Sequence, residues 1–134
     1  MRPGQDVPAA PRTTSAEWLL TNGLGGSCSG CASSAPTRSS QALLVAGALG
    51  RPTALLLRLD ERVSGEAGGF ELASQRPRSR RQARLEEFRV APWPTWRWNV
   101  GGTVFEKSLF ALSGHDAVVV SYHHLSGPTV HLAA

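Results

Sequence analysis

Short apolar runs separated by turn-forming residues are the main pattern along this chain of 134 residues. Clusters of glycine, proline and serine lie between the runs. No window repeats apolar residues at the spacing of an amphipathic helix with capping residues at its ends. Strands bounded by such turns are typical of antiparallel β-proteins. The pattern therefore predicts an all-β fold, an antiparallel β-sandwich.

Eight segments of the chain carry this strand pattern. We predict strands at residues 18–20, 42–46, 53–59, 70–72, 85–90, 103–112, 117–122 and 129–132. The glycine-rich segment 22–41 and the VSGEAGG motif at 63–69 are assigned to loops and turns. Because side chains alternate between the two faces of a strand, Trp96 and Trp98 share one face, and Lys107 shares its face with apolar neighbours.

Composition limits the class of protein. Hydrophobic residues make up 41% of the chain, which is enough for a packed core in one domain. Residues 1–15 have no periodic pattern and are predicted to be a mobile tail, so the domain covers residues 16–134. No apolar run approaches the roughly 20 residues of a membrane-spanning helix, and the N-terminus lacks the apolar segment of a secretory signal. We therefore expect a cytoplasmic location and no membrane partner.

The positive charge of the chain comes almost entirely from arginine. The formal net charge is +4, and Lys107 is the sole lysine. Arginine-rich usage also follows from a GC-rich genome, so charge alone is weak evidence for a partner. The run QRPRSRRQAR at 75–84 lies near three tryptophans, which leaves a nucleic-acid-binding protein as an alternative. A solvated loop is the preferred interpretation of this run.

The spacing of Cys28 and Cys31 matches the CxxC of redox and zinc-binding motifs. A zinc site needs further ligands, but the sequence has no second CxxC, and its four histidines form no metal signature. Two thiols in a loop of small residues are the preferred interpretation. We expect no metal and no cofactor.

Several motifs in order resemble the opening of bacterial and archaeal glycogen debranching enzymes of the amylo-α-1,6-glucosidase type. The resemblance extends from about Glu17 to the end of the chain. The motifs that carry it are EWLLTNGLGG at 17–26, Thr37 with Arg38, ALLVAG at 42–47, LDE at 59–61, LEEFR at 85–89, PWPTW at 92–96, GGTVFEKSLF at 101–110 and VVVSYHHLSGP at 118–128.

The resemblance implies an N-terminal, supersandwich-like β-domain that packs against a separate catalytic (α/α) barrel and helps to hold α-glucan or glycogen. The barrel, which hydrolyses α-1,6-glucosidic branches, has no counterpart in this sequence. Because the chain stops inside the predicted strand at 129–132, we expect a sandwich that is incomplete at its C-terminus. The family's catalytic acids lie in the barrel, so this chain is expected to be non-catalytic alone.

Two pairs of adjacent carboxylates, Asp60 with Glu61 and Glu86 with Glu87, are candidates for catalytic acids. Glycoside hydrolysis needs two carboxyl groups that flank one bond. Neighbouring residues on a strand point to opposite faces, so neither pair has that arrangement. Solvent-facing or ion-paired carboxylates are the expected outcome.

The resemblance also selects candidate site residues. A loop that faces the partner domain or the substrate is expected from Asn22, Gly23, Leu24, Gly25 and Gly26, with Thr37 and Arg38 beside it. After that pair the family reads Arg-Tyr-His-Gly, whereas residues 39–42 of this chain read Ser-Ser-Gln-Ala. The aromatic ring and imidazole of the family motif are thus both missing here.

The tryptophans at 93 and 96 are candidates for stacking on glucose rings. The competing interpretation is that Trp96, together with Trp98, fills the core of the sandwich. If Trp93 and Trp96 do stack on sugar, a stand-alone α-glucan-binding module becomes the second functional alternative.

Overall fold

The computed structural model describes residues 16–32, 41–47, 50–66, 68–72 and 83–134. These residues form eleven strands and no helix, and all neighbouring strands pair antiparallel. The prediction of an all-β sandwich is confirmed. Across the described ranges, no helix is long and apolar enough to cross a membrane.

The strands make three sheets. Sheet 1 has the order β1-β2-β3-β4, sheet 2 the order β10-β9-β8-β7, and sheet 3 the order β11-β5-β6. The strands are β1 (Glu17–Thr21), β2 (Ser27–Cys31), β3 (Leu44–Ala46), β4 (Thr53–Leu56), β5 (Arg62–Gly65), β6 (Gly68–Glu71), β7 (Arg84–Arg89), β8 (Thr95–Val100), β9 (Thr103–Ala111), β10 (Val118–Ser126) and β11 (His131–Ala133).

The hydrophobic core lies against the inner face of sheet 2. Trp96, Phe105 and Leu109 point inward from β8 and β9, and each is at most 5% exposed. Sheet 1 contributes Trp18, whose ring meets the ring of Trp96 edge-on at a centroid distance of 5.9 Å. Sheet 3 contributes Val63, which is 1% exposed. Removing these large apolar side chains from water is the main stabilising contribution to the fold.

Alternation along β8 and β9 follows the sequence prediction. Trp96 and Trp98 are both buried, and so is Lys107 between the buried Phe105 and Leu109. The opposite face of the same strands is mostly half-buried and mixes charged and polar residues with the apolar Val104 and Phe110. A strand with one face on the core and one on the surface produces this pattern.

Strands β2 and β5 lie where the sequence predicted loops and turns, and that assignment is wrong. β2 pairs with β1 along its whole length, from Ser27 opposite Thr21 to Cys31 opposite Glu17. A Cβ on Gly30 would lie 2.9 Å from Cζ2 of Trp18, so only glycine leaves room for the indole ring. The glycine at position 30 of β2 is therefore a packing requirement imposed by Trp18.

Candidate functional site

The loop between β1 and β2, residues 22–26, is the first candidate site from the sequence. Gly23 and Gly25 have φ angles of 80° and 82°, which favour glycine because other residues meet steric conflict there. Between them, Leu24 is 43% exposed. The loop thus places one apolar side chain at its tip on a backbone that requires glycine at both sides.

Asn22 fixes the shape of this loop, and its side chain is nearly inaccessible, at 2% exposure. Oδ1 accepts hydrogen bonds from the backbone N–H groups of Leu24 at 2.9 Å and Gly26 at 3.0 Å. Nδ2 donates to the carbonyl of His115 at 3.0 Å and to Oδ1 of Asp116 at 2.8 Å. The amide therefore uses its donors and its acceptor fully, and it joins the loop to the turn between β9 and β10.

Backbone contacts bring a third segment to the same place. The N–H of Gly114 donates to the carbonyl of Asn22 at 2.7 Å, which adds a second link to the β9–β10 turn. A Cβ on Gly47 would clash with the backbone of Gly25. A Cβ on Gly26 would lie 2.5 Å from Nδ2 of Asn22. The three segments approach this closely because glycine has no side chain at the contacts.

Residues 22–26, Gly47 and residues 112–117 are called the loop cluster from here on. Its surface carries Leu24 and Leu112, which are 43% and 41% exposed. His115 is also exposed, and its Nδ1 lies 3.1 Å from the carbonyl of Ser113. Hydrogen bonds cross-link the backbone of the loop cluster, which carries these exposed side chains.

The structure divides the predicted loop residues into two groups. Asn22 and Gly26 are buried and act as structural residues, whereas Gly23, Leu24 and Gly25 are exposed. Thr37 and Arg38 lie outside the described residues. The sequence does not predict that the β9–β10 turn supplies hydrogen-bond partners to Asn22, because that turn lies more than 90 residues from Asn22 along the chain.

The two tryptophans proposed for sugar stacking differ in accessibility. Trp96 is 1% exposed, and its ring is surrounded by the rings of Trp18 and Phe88 and by the Lys107 ammonium. Its Nε1 donates to the carbonyl of Ala32 at 2.8 Å. Trp96 therefore offers no ring face to a sugar and instead fills the core. Trp93 is 42% exposed, so a stacking role is left to Trp93.

A buried ionic group links sheets 2 and 3. The side chains of Glu61 and Lys107 are 0% and 4% exposed. Nζ of Lys107 donates to Oε1 of Glu61, and the hydroxyl of Tyr122 donates to Oε2. Burial, with the hydrogen bond and the negative charge of Glu61, raises the pKa of Tyr122 above its ordinary value. A lysine on an apolar strand face was the sequence signal for this group, but the sequence did not identify its partners.

The other carboxylates considered for catalysis are engaged in surface contacts. Asp60 pairs with Arg58 at 3.1 Å, and Glu86 accepts a hydrogen bond from Nδ2 of Asn99 at 3.0 Å. Glu87 pairs with Arg97 at 3.2 Å. Since Glu61 is enclosed with Lys107, the pair Asp60 and Glu61 does not present two accessible carboxyl groups to one bond. For Glu86 and Glu87 the prediction of opposite faces is wrong, because the strand register shifts between Leu85 and Glu87 and both carboxylates bond outward-facing side chains of β8.

The cysteine pair lies inside the domain. Cys28 is 1% exposed and Cys31 is 0% exposed. Burial raises the pKa of the Cys28 thiol, which disfavours the reactive thiolate. Among the described residues, no three His, Cys, Asp or Glu side chains are grouped closely enough to hold a metal ion.

Together, the strand topology and the hydrogen-bonded loop cluster define an all-β domain. The sequence profile of the family described as "Glycogen debranching enzyme N terminal" matches residues 16–134. The chain therefore belongs to the family of N-terminal domains of glycogen debranching enzymes. Comparisons with curated proteins and with solved structures found no match.

Proposed function

We propose that this chain is the non-catalytic, N-terminal β-sandwich of a bacterial, cytoplasmic glycogen debranching enzyme and that its loop cluster docks on the catalytic helical barrel. The barrel hydrolyses α-1,6-glucosidic branches in glycogen as a glycoside hydrolase. The sandwich corresponds to residues 16–134, and its role is to support the barrel rather than to contribute catalytic acids.

The observation that carries this proposal is the set of hydrogen bonds that orders the loop cluster. Four hydrogen bonds from one buried amide, that of Asn22, hold its loop against the β9–β10 turn. A surface that is already ordered loses little conformational entropy on docking, which favours a stable interface. Leu24 and Leu112 supply the apolar side chains that such an interface buries.

The chemistry of the described residues favours a non-catalytic role for this domain. Hydrolysis needs an acid and a base or nucleophile on opposite sides of the scissile bond. In the loop cluster, Oδ1 of Asp116 is already bonded to Asn22. His115 is exposed at the turn, and its Nδ1 lies beside the backbone carbonyl of Ser113. The cluster is thus suited to contact rather than to catalysis.

A binding titration between this chain and a separately purified barrel domain of an amylo-α-1,6-glucosidase tests the proposal. We expect Leu24→Asp to weaken binding by about tenfold or more, because a carboxylate buried against an apolar surface loses its hydration. The barrel's activity on a branched α-glucan, measured with and without the chain, gives a second readout.

Leu125→Asp is the matched control. Leu125 is 42% exposed, close to the 43% of Leu24, but it lies near the far end of β10. At about 3.3 Å per residue, that places Leu125 roughly 20 Å from the β9–β10 turn. Equal binding by wild type and Leu24→Asp, or equal weakening by both variants, would contradict docking through the loop cluster.

A further inference from the structure

Strand β10 forms one edge of sheet 2 and is the longest edge strand among the described residues. None of its nine residues is Asp, Glu, Lys, Arg or Pro. At the opposite edge of the same sheet, the six residues of β7 include Arg84, Glu86, Glu87 and Arg89. Charges and prolines on an edge strand discourage it from pairing with another chain. Strand β7 therefore has this protection, and β10 lacks it.

The backbone of β10 directs hydrogen-bonding groups away from sheet 2. The N–H of Leu109 on β9 donates to the carbonyl of Pro94 at 3.0 Å, so the backbone of Leu109 faces β8. Its partner on β10 is Val120. Because hydrogen-bonded and non-hydrogen-bonded pairs alternate in an antiparallel ladder, Val120 points its N–H and C=O to the side away from β9. The same holds for Val118, Tyr122 and His124. In the part of the chain that the structure describes, no strand lies on that side of β10.

The inward side chains of β10 are less covered than those of β9. On β9, Phe105 and Leu109 are 5% and 0% exposed. On β10, Val118, Val120 and Tyr122 pack against the same core but are only half-buried. Among the described strands, β9 has a neighbour on each side, whereas β10 has one neighbour, β9. A further strand beside β10 would therefore cover apolar surface that the sheet leaves open.

A cleft of about 230 Å³ lies beside the same strand. Tyr122 and His124 line it from β10, and Val130 and Leu132 line it from the segment that includes β11. The polar side chains that β10 contributes already have partners. The hydroxyl of Tyr122 donates to Glu61, and Nε2 of His124 lies 3.1 Å from a backbone carbonyl. The cleft therefore offers mainly apolar contacts to a side chain placed beside β10.

We propose that β10 pairs antiparallel with β10 of a second copy of this chain, about a two-fold axis at Ser121. The regular part of β10 runs from Val118 to His124, because the register shifts after His124. Ser121 is the midpoint of that part, so this register pairs it along its whole length. Val120 of one copy then lies opposite Tyr122 of the other, and Val118 lies opposite His124. These are the residues whose backbone groups face the open edge, so each N–H and C=O gains a partner.

The sequence of β10 suits pairing with itself. A two-fold interface brings one surface against its own copy, so a charged side chain near the axis would meet the same charge. β10 carries no Asp, Glu, Lys or Arg, and the register places His123 and His124 opposite valines rather than opposite each other. Pairs of an aromatic with a β-branched residue stabilise neighbouring strands, and Tyr122 opposite Val120 is such a pair. The same two valines, Val118 and Val120, bring apolar groups to the cleft beside Tyr122 and His124.

Sedimentation velocity of the full chain over a range of concentrations tests the proposal. We expect a species with twice the mass of one chain, in reversible equilibrium with the monomer. Ser121→Lys places two ammonium groups opposite each other at the axis, so we expect it to weaken association by about tenfold or more. Ser64→Lys is the matched control, because Ser64 is also an exposed strand serine but lies on β5, which has a strand on each side. We expect Ser64→Lys to associate as the wild type does.

A charge-complementation experiment tests the position of the axis. Ser121→Glu alone is expected to associate as weakly as Ser121→Lys, because it also places like charges opposite each other. An equimolar mixture of the two variants is expected to recover dimers, since Lys then lies opposite Glu. Only a residue that meets its own copy across a two-fold axis gives this result. Recovered association also shows that both variants are folded.

Four results would overturn the proposal. A wild-type chain that stays monomeric up to roughly 1 mM would leave the edge of β10 to a different partner. Dimers that Ser121→Lys leaves intact, or that Ser64→Lys weakens equally, would place the interface elsewhere. A mixture of Ser121→Lys and Ser121→Glu that stays monomeric would exclude the axis at Ser121. Species that grow beyond the dimer would show open aggregation instead of a closed pair. The sample contains no barrel domain, so none of these results depends on docking of the loop cluster.

Discussion

The two faces of strand β9 carry neighbouring charges in opposite surroundings. Lys107 points inward, where its side chain is 4% exposed and its partner Glu61 is 0% exposed. Glu106 points outward to Arg97 and Arg89, whose side chains are 37% and 41% exposed. Glu106 and Lys107 are adjacent in the sequence, but Lys107 is enclosed in the core whereas the ion pairs of Glu106 are open to water.

The difference in burial between the two ion pairs is expected to determine their effect on stability more than their geometry does. Water screens the outer pairs, so forming or breaking them changes stability little. The inner pair has lost its hydration, so removing one partner leaves an uncompensated charge inside the protein. Loss of either partner of the inner pair alone is therefore costly, whereas loss of a partner in the outer pairs is not.

The largest expected effect is that of Lys107→Met. This change keeps a long apolar chain but leaves the Glu61 carboxylate buried, with the Tyr122 hydroxyl as its remaining hydrogen-bond donor among the described side chains. We expect the free energy of unfolding to fall by about 3–5 kcal/mol, measured by urea denaturation.

A double variant, Glu61→Leu with Lys107→Met, sharpens this comparison. Because it removes both charges at once, we expect it to recover much of the stability lost by Lys107→Met alone. A double variant no more stable than the single one would mean that lost packing, rather than an unpaired charge, causes the effect.

An intermediate effect is expected at alkaline pH from Tyr122. Its folded-state pKa lies above the ordinary value of 10.0, first because of burial and then because of Glu61. A raised pKa gives stability that is complete below the unfolded-state pKa and is lost as pH rises beyond it. The free energy of unfolding should therefore decline above about pH 10.

The matched variant Tyr122→Phe isolates this contribution. Other basic groups titrate in the same range, so the measured quantity is the difference between the two pH profiles. We expect the wild-type profile to fall more steeply than that of Tyr122→Phe above about pH 10. Parallel profiles would show that the hydroxyl of Tyr122 does not couple to folding.

The smallest effect is expected for Glu106→Gln on the outer face. Its carboxylate pKa is lowered, so its contribution is present above the ordinary carboxyl value of 4.5 and is lost as pH falls. Because its arginine partners are exposed, we expect a loss of at most about 1 kcal/mol in urea denaturation. The loss should shrink further in roughly 1 M salt. A loss as large as that of Lys107→Met would contradict the contrast between the two faces.

The sequence predicted the inward side of β8 and β9 well, because strict alternation places Trp96, Trp98 and Lys107 on one face. It could not predict β2, where serine, cysteine and glycine replace the usual apolar strand residues. At Gly30 the indole ring of Trp18 leaves no room for a side chain. The local sequence pattern thus predicts a strand well where large apolar residues of that strand face the core. It does not predict a strand whose residues must be small because a side chain from a neighbouring strand occupies the space.

The candidate site shows the same limit. The sequence identified the glycine-rich loop, but it assigned Asn22 to the surface although the side chain is buried. Its partners His115 and Asp116 are more than 90 residues away along the chain, so no local pattern connects them. Glu61 is a parallel case, because its partner Lys107 lies 46 residues further on.

Hydrogen–deuterium exchange during titration with the purified catalytic barrel tests the central claim most directly. We predict that backbone amides in residues 22–26 and 112–117 gain protection as the barrel is added, while those in residues 89–97 and 106–110 do not change. Protection confined to residues 89–97 and 106–110, or no new protection at saturating barrel, would contradict docking through the loop cluster.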